Sequence, residues 1–145
     1  MKVVLDTSVL ISAIRSGSGA SAEIIRLVAL GKVTVLLDFK RVCEYRDVAL
    51  RPQHITASGK TPEDVEAVIS FLEAIETPVA IMVKYRPLCQ DANDDMVMDV
   101  AINGHADAVV TNNVKDFAAA ADRFGIPALI PGDFLDVLRK RGIVK

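Results

Sequence analysis

The stretch Lys2-Val-Val-Leu-Asp6-Thr7-Ser8 decides the fold of this chain. Its apolar run has no polar alternation, which is typical of a strand buried on both faces in a parallel α/β sheet. Asp6 comes directly after that strand, and open α/β sheets place their ligands at the carboxyl ends of strands. Acidic residues recur far along the chain, at Glu44 and in the cluster Asp91–Asp99. Three separated acidic sites in a small chain with little other catalytic chemistry indicate a divalent-metal site.

The composition is that of one globular domain, which we expect to span residues 1–145. Hydrophobic residues make up 51% of the chain and aromatic residues only 5%, so the core should consist of Val, Ile, Leu and Ala. The two cysteines, Cys43 and Cys89, form neither a disulfide framework nor a zinc-binding spacing. Because the sequence shows no secretion leader and no membrane-spanning stretch, we expect a cytoplasmic protein.

The charge balance does not identify the substrate. The chain has 17 basic and 19 acidic residues, a net charge of −2, whereas a protein that binds nucleic acid is usually basic. If Asp6, Glu44, Asp94 and Asp99 bind metal, the rest of the chain has 17 basic and 15 acidic residues, a net charge of +2. The bulk charge therefore neither supports nor excludes a nucleic acid.

Predicted strands and helices alternate along the chain, with no repeat or linker that divides it. Strands are expected at Val3–Leu5, Val33–Leu37, Val79–Val83, Ala108–Val110 and Ala128–Ile130. Helices are expected at Val9–Ile14, from the cap Ser21 to Ala29, at Phe39–Leu50, from the cap Thr61 to Ile75, and at Asp94–Asn103, Lys115–Arg123 and Asp133–Arg139. Arg51–Lys60 is predicted as a loop and Lys84–Asn93 as a polar connection. The alternation predicts a doubly wound α/β sheet, and in the strand order 3-2-1-4-5 the first and fourth strands end side by side.

Three blocks of sequence occur in order along these elements. They are Asp6-Thr7-Ser8-Val9 followed by Leu10–Ala13, Glu44–Val48 followed by Arg51-Pro52, and Asp91–Asp99 followed by Gly104 and Val110-Thr111. These blocks resemble the motifs of PIN-domain nucleases, and in particular those of VapC-like toxin components of toxin–antitoxin pairs. One block is a weak signal, but three in order over nearly the whole chain are specific. The resemblance implies a three-layer α/β/α PIN-like (Rossmann-like) fold with a central parallel sheet of about five strands.

The same resemblance implies an endoribonuclease that hydrolyses RNA with carboxylate-bound Mg²⁺ or Mn²⁺, is held in check by a cognate antitoxin, and forms a homodimer. Hard divalent cations prefer oxygen ligands, and Mg²⁺ keeps several waters while it uses few carboxylates. Such an ion activates a bound water and neutralises the charge that builds on the phosphate. It would also relieve the repulsion between carboxylates packed together.

The resemblance places the catalytic and metal-binding acids at Asp6, Glu44 and Asp94. Asp94 is favoured over Asp95 because the third acid of the family precedes a small residue by seven positions, and here that residue is Ala101. Neighbouring helical residues point about 100° apart, so Asp94 and Asp95 cannot both face one site. Asp95 would instead interact with the helix dipole. Without the family pattern, Asp6 could be a helix cap and Glu44 an exposed acid.

Further candidates surround these three acids. Asp99, Asn113 and Asp116 are additional candidates for metal ligands, and Thr7, Ser8, Arg46, Thr111 and Asn112 could orient a ligand or touch the substrate. Several of them have an ordinary structural alternative: the hydroxyl residues and Asp116 as helix caps, and Arg46 as a partner in a surface ion pair. Asp91 is expected to be a solvated loop acid. His54 and His105 lie near no second metal ligand in the sequence and receive no role.

The chain departs from the family after its fourth predicted strand. Many PIN-domain proteins carry another acid two residues beyond the threonine that corresponds to Thr111, where this chain has Asn113. Asparagine can ligate through its carbonyl but brings no negative charge, so the site could hold one metal ion or two. A catalytically weakened PIN-like module that binds RNA or protein also remains open, as does an RNA-processing nuclease outside toxin–antitoxin systems. A receiver-type phosphate-binding regulator shares the fold but lacks support, because its first strand would be followed by paired acids.

Overall fold

The computed structural model describes residues 1–85, 89 and 91–145, and within them the chain forms a parallel sheet of five strands. The strands are β1 (Lys2–Leu5), β2 (Thr34–Leu37), β3 (Thr77–Pro78), β4 (Ala108–Val110) and β5 (Ala128–Leu129). Their order across the sheet is β3-β2-β1-β4-β5, and all four pairings are parallel. The predicted strand order 3-2-1-4-5 is confirmed.

Helices cover both faces of the sheet. They are α1 (Thr7–Arg15), α2 (Ala20–Ala29), α3 (Phe39–Ala49), α4 (Pro52–Ser58), α5 (Pro62–Ile75), α6 (Ala92–Asn103), α7 (Val114–Phe124) and α8 (Pro131–Lys140). None of those in the part of the chain that the structure describes is long and apolar enough to span a membrane.

Successive residues of β1 point to opposite faces of the sheet and build two separate cores. Val3 and Leu5 pack into the larger core, together with apolar side chains from α1, α2, α3, α5 and α8. Val4 packs into the smaller core, which α6 and α7 cover. Because Val3, Val4 and Leu5 are buried on both sides of the sheet, β1 carries no polar residue between Lys2 and Asp6. The predicted three-layer α/β/α architecture is confirmed.

The position of β1 between β2 and β4 fixes where the acidic residues emerge. Leu5 of β1 lies opposite Val110 of β4, and the backbone N–H of Asp6 donates to the Val110 carbonyl at 2.9 Å. Asp6 and Thr111 therefore leave the sheet side by side at its carboxyl edge. This is the edge at which open parallel sheets bind their ligands.

Two predicted elements are wrong. Arg51–Lys60, predicted as a loop, contains α4, because Pro52 occupies the first helical turn and Gly59 ends the helix with a φ of 69°. The predicted strand Val79–Val83 is replaced by the two-residue strand β3 at Thr77–Pro78, after which the Val79 N–H donates to the Leu37 carbonyl of β2. The predicted connection Lys84–Asn93 falls partly outside the described residues.

Two predicted helix starts also shift. Ser21 was expected to cap α2, but the N-cap is Gly19 and Ser21 lies buried inside the first turn. Asp94 was expected to begin α6, but Asp91 is the N-cap and its side chain accepts a hydrogen bond from the Asn93 N–H. Asp91 is thus exposed to solvent, as expected, and it also caps α6.

We predict that Gly104→Ala destabilises the fold. Gly104 ends α6, and a Cβ atom there would lie 2.9 Å from side-chain atoms of Leu36 and Val79 and from the Val100 carbonyl. Because two of these contacts lie in the packed core, the free energy of unfolding should fall by about 1–3 kcal/mol in urea denaturation. Gly17→Ala is the control, since a Cβ atom at Gly17 meets nothing within 4 Å. Equal stability of the two variants would contradict this packing.

Candidate active site

A cleft of about 430 Å³ opens where β1 and β4 end. Its lining residues come from five parts of the chain and are Asp6, Thr7, Ser8, Ile11, Ser12, Arg41, Glu44, Val48, His54, Asp91, Asn93, Asp94, Asn112 and Asn113. The structure therefore brings the three predicted acids, Asp6, Glu44 and Asp94, to the wall of one cavity. We call this cavity the acidic cleft.

Asp6 is held in place by two hydroxyl groups. Its Oδ2 accepts hydrogen bonds from Ser8 Oγ at 2.9 Å and from Thr111 Oγ1 at 2.8 Å. Asp6 occupies the N-cap position of α1, yet among the described residues its side chain makes no capping hydrogen bond. Only 8% of the residue is exposed. The carboxylate is thus oriented by its neighbours, with Oδ1 left available to a ligand in the cleft.

The turn after β4 connects this carboxylate to α1. The Asn112 N–H donates to Ser8 Oγ at 3.2 Å, and Asn112 Nδ2 donates to Ser12 Oγ at 3.0 Å. The Asn113 N–H donates to Thr111 Oγ1 at 2.9 Å, so the Thr111 hydroxyl both accepts from this turn and donates to Asp6. Asn113 itself is exposed and lines the cleft. These hydrogen bonds fix the spacing between the two strand ends.

The other two acids enter from helices. Glu44 is half-buried on α3 and makes no hydrogen bond or ion pair within the described chain. Asp94 lies in the first turn of α6. Burial raises the pKa of Asp94 to about 6, and the negative charges of Asp6, Asp91 and Asp116 add to the rise. Carboxylates thus crowd the cleft closely enough to disfavour one another's ionisation.

Arg41 is a cleft residue to which the sequence analysis assigned no role. It is 1% exposed, its Nη2 donates to Thr7 Oγ1 at 2.9 Å, and its guanidinium lies 5.3 Å from the centre of the Tyr45 ring. The Tyr45 hydroxyl donates to the Leu5 carbonyl, and burial raises the pKa of Tyr45 to about 12. The positive charge of Arg41 partly offsets the rise in the pKa of Asp94. Arg41 lies three residues before Glu44 on the same helix face, and this spacing could have predicted its place in the cleft.

Several predicted residues lie away from the cleft. Arg46 forms ion pairs with Glu66 at 2.8 Å and Glu73 at 3.0 Å, which is the structural alternative considered for it. Asp99 is buried on α6, and Asp116 is exposed in the first turn of α7. Neither residue lines the acidic cleft.

Two further residues are placed differently from the sequence interpretation. Asp95 is buried in the first turn of α6, and its Oδ1 accepts from the Cys89 N–H at 2.7 Å. His54, which received no role, lines the cleft with its Nδ1 3.1 Å from Nη2 of Arg15. It reaches the cleft through α4, a helix that was predicted as a loop.

The donor set of the cleft fits a hydrated divalent cation. Within residues 1–85, 89 and 91–145, no group of three or more His, Cys, Asp or Glu side chains is arranged to hold a metal ion together. Mg²⁺ does not need such a group, because it retains several waters and binds through one or two carboxylates. Asp6 and Asp94 supply two oxygen ligands of the required type. Burial first, and then the neighbouring acids, raise the pKa of Asp94, and a bound cation would favour its charged form.

Comparison with known proteins connects this geometry to a family. A sequence model of the PIN domain matches residues 2–115, which include Asp6, Glu44, Asp94 and Asn113. This chain is similar to a crystal structure of VapBC2 from Rickettsia felis bound to a DNA fragment from the VapBC2 promoter. The TM-score is 0.58 and the sequence identity is 17%. The likeness covers 88% of this chain and 97% of that chain, and it supports the fold. The comparison with curated proteins gave no match.

We predict that Asp94→Asn stabilises the metal-free chain at neutral and alkaline pH. The raised pKa means that the folded state binds the Asp94 proton more tightly than the unfolded state, so stability falls as the pH rises from about 4 to about 6. Asparagine removes that cost. Discounted for solvent exposure, the gain in unfolding free energy should be about 1 kcal/mol at about pH 8 and vanish near pH 4.

Urea denaturation in EDTA at both pH values measures this effect. Asp136→Asn is the control, because that carboxylate forms only an exposed ion pair with Arg139. A gain that is the same at both pH values would show that the repulsion at Asp94 is not its source.

Proposed function

Because the chain belongs to the PIN domain family, we propose that it is a metal-dependent endoribonuclease that hydrolyses RNA phosphodiester bonds in the acidic cleft. The observation that carries this proposal is the convergence of Asp6, Glu44 and Asp94 on one cavity from β1, α3 and α6. Buried carboxylates that repel one another lower the stability of a fold, and a bound cation would remove that repulsion. Mg²⁺ or Mn²⁺ is the cofactor that suits an all-oxygen donor set.

Each acid has a distinct role in the proposed mechanism. Asp6 and Asp94 would hold the ion, with Ser8 and Thr111 keeping Asp6 in the orientation needed for ligation. When bound between these two residues, such an ion would supply an activated water and neutralise charge on the phosphate. Glu44, free of other hydrogen bonds in the described structure, would hold the attacking water and accept its proton.

The charges around the cleft support a site with one ion. Asn113 brings no charge where related chains carry an acid, so a second cation would find fewer ligands. Arg41 places a fixed positive charge beside the acids, and its buried Nε has no hydrogen-bond partner in the described structure. A guanidinium near the reacting phosphate offsets developing negative charge without a second ion.

We further propose that the protein is the toxin of a toxin–antitoxin pair, acting in the cytoplasm as a single PIN-like domain over residues 1–145. The VapC-like motif blocks and the fold shared with VapBC2 support this role and a cognate antitoxin as partner. A homodimer would cover part of α5, which leaves Phe71 and Ile75 exposed.

A second candidate is a PIN-like module that binds RNA or protein without cleaving. Asn113 favours this candidate, as does the lack of a three-residue metal group among the described residues. The retained acids and the hydroxyl groups that orient Asp6 favour the enzyme. An RNA-processing nuclease outside toxin–antitoxin systems would share this site, so the enzyme proposal does not depend on the toxin role.

We predict that Asp6→Asn abolishes cleavage of a labelled RNA in Mg²⁺ or Mn²⁺. The loss in kcat should exceed about 100-fold, because removal of a partner outside the ligand shell alone typically costs 10–100-fold. Glu44→Gln should lose about 100-fold or more as a proton acceptor. Asp47→Asn, which alters an exposed acid on the same helix, is the control. Full activity of Asp6→Asn, or no cleavage with either ion, would refute the enzyme.

We predict that Asn113→Asp tightens binding of Mn²⁺. Asn113 lines the acidic cleft, so the substitution adds a negative charge close to the proposed ion. The affinity in isothermal titration calorimetry should rise about tenfold, and the stoichiometry should show whether a second ion enters. The double variant Asp6→Asn with Asn113→Asp should lose this gain. Unchanged affinity in Asn113→Asp would place the ion elsewhere.

A further inference from the structure

A second pocket of about 330 Å³ adjoins the acidic cleft and has no role in the proposed chemistry. It shares Ser12 and Asn112 with the cleft. Its other lining residues are Ser16, Gly19, Ala20, Ser21, Ile130, Pro131 and Gly132. We call it the serine pocket, after Ser12, Ser16 and Ser21.

Two helices begin at the wall of the serine pocket. Gly19 is the N-cap of α2 and Ile130 the N-cap of α8, and the next two residues of each helix also line the pocket. Each helix is ten residues long, and neither start has a side-chain capping hydrogen bond from the described chain. Unpaired N–H groups and the positive ends of two helix dipoles therefore meet at one cavity.

Ser21 provides an independent sign of a ligand. It is only 6% exposed and lines the pocket, yet its hydroxyl has no hydrogen-bond partner among residues 1–85, 89 and 91–145. The carbonyl one helical turn before it, that of Gly17, already accepts from Arg26 Nη1 at 2.9 Å. Its oxygen is not among the fully buried unpaired atoms of the described residues, so the hydroxyl is accessible from the pocket and can donate to a molecule there.

The neighbouring acids do not oppose an anion here. Glu23, in the first turn of α2, is paired with Arg26 at 2.9 Å. Asp133, in the first turn of α8, is exposed and does not line the pocket. No acidic side chain thus lines this pocket, and helix starts at a cavity are an arrangement that binds phosphate groups.

We propose that the serine pocket is a phosphate-binding subsite that holds a backbone phosphate of the RNA strand next to the phosphate in the acidic cleft. This inference rests on the proposed function, since it takes RNA as the substrate. The N–H groups of Ala20 and Ser21, the N–H of Gly132 and the Ser21 hydroxyl donate to the phosphate oxygens, whereas Pro131, the first residue of α8, has no N–H. Ser12 and Asn112, shared by both cavities, make the two sites continuous along one strand.

Gly132→Asp and Gly132→Asn test the proposal as a matched pair. A Cβ atom at Gly132 meets nothing within 4 Å, so both side chains fit. The two differ by one negative charge at the start of α8, where aspartate stabilises a helix but repels an anion. A loss of binding in Gly132→Asp therefore cannot be attributed to a weakened fold. Ser21→Ala removes the buried donor and is the second variant.

Two measurements follow binding without catalysis. Inorganic phosphate is titrated into the metal-free protein while amide resonances are recorded, and a labelled RNA oligonucleotide is bound in EDTA and followed by fluorescence anisotropy. In the wild type, phosphate should shift the amides of Ser21 and Gly132 in a saturable manner. Gly132→Asp should weaken both phosphate and RNA binding about tenfold, while Gly132→Asn stays close to the wild type. Ser21→Ala should weaken both several-fold.

Two other results overturn the inference, and a third refutes only the proposed function on which it rests. Equal losses in Gly132→Asp and Gly132→Asn would indicate steric change instead of charge. If Gly132→Asp weakens phosphate binding but leaves the RNA affinity unchanged, the pocket binds free phosphate and not the RNA strand. RNA that binds as proposed but is not cut with Mg²⁺ or Mn²⁺ would leave the subsite standing and refute the nuclease.

Discussion

The hydrogen bond from Thr111 Oγ1 to Asp6 Oδ2, 2.8 Å long and buried, is the interaction on which the site depends. It joins residues 105 positions apart, and it exists because β1 and β4 are neighbours in register with Leu5 opposite Val110. The same hydroxyl accepts from the Asn113 N–H, so the turn after β4 is fixed relative to Asp6. A parallel sheet with this strand order thereby converts two distant segments into one rigid wall of the cleft.

Electrostatics at this wall works against stability. Asp94 is ionised only above a raised pKa of about 6 because it is partly buried among other acids, and Arg41 offsets only part of that cost. The burial of Arg41 is stabilised by Thr7 and the Tyr45 ring, although its Nε has no partner in the described structure. Such unfavourable charge placement is typical of sites arranged for a ligand rather than for the fold alone.

The sequence predicts elements whose signal is local and misses those set by tertiary contacts. β1 could be predicted because a strand buried on both faces consists of apolar residues. The motif blocks predicted Asp6, Glu44 and Asp94. The extent of β3 could not be predicted from the sequence. Pro78 limits the strand, and the backbone N–H groups of Met82 and Val83 donate to the Asn103 side chain. Arg41 and Arg46 both lie on α3, and only packing shows that one meets Thr7 and the other Glu66.

The net charge of −2 leaves a nucleic-acid substrate undecided, and the proposed role of the serine pocket offers a physical route to one. A count of side-chain charges omits the helix starts, whose N–H groups attract anions without any lysine or arginine. On the proposed function, the cation neutralises the acids where the strand is cut, and the starts of α2 and α8 hold a neighbouring phosphate. Ser12 and Asn112 line both cavities, so binding and cleavage would be coupled through the turn that also fixes Asp6. A chain with this net charge can therefore bind a polyanion locally through its helix starts.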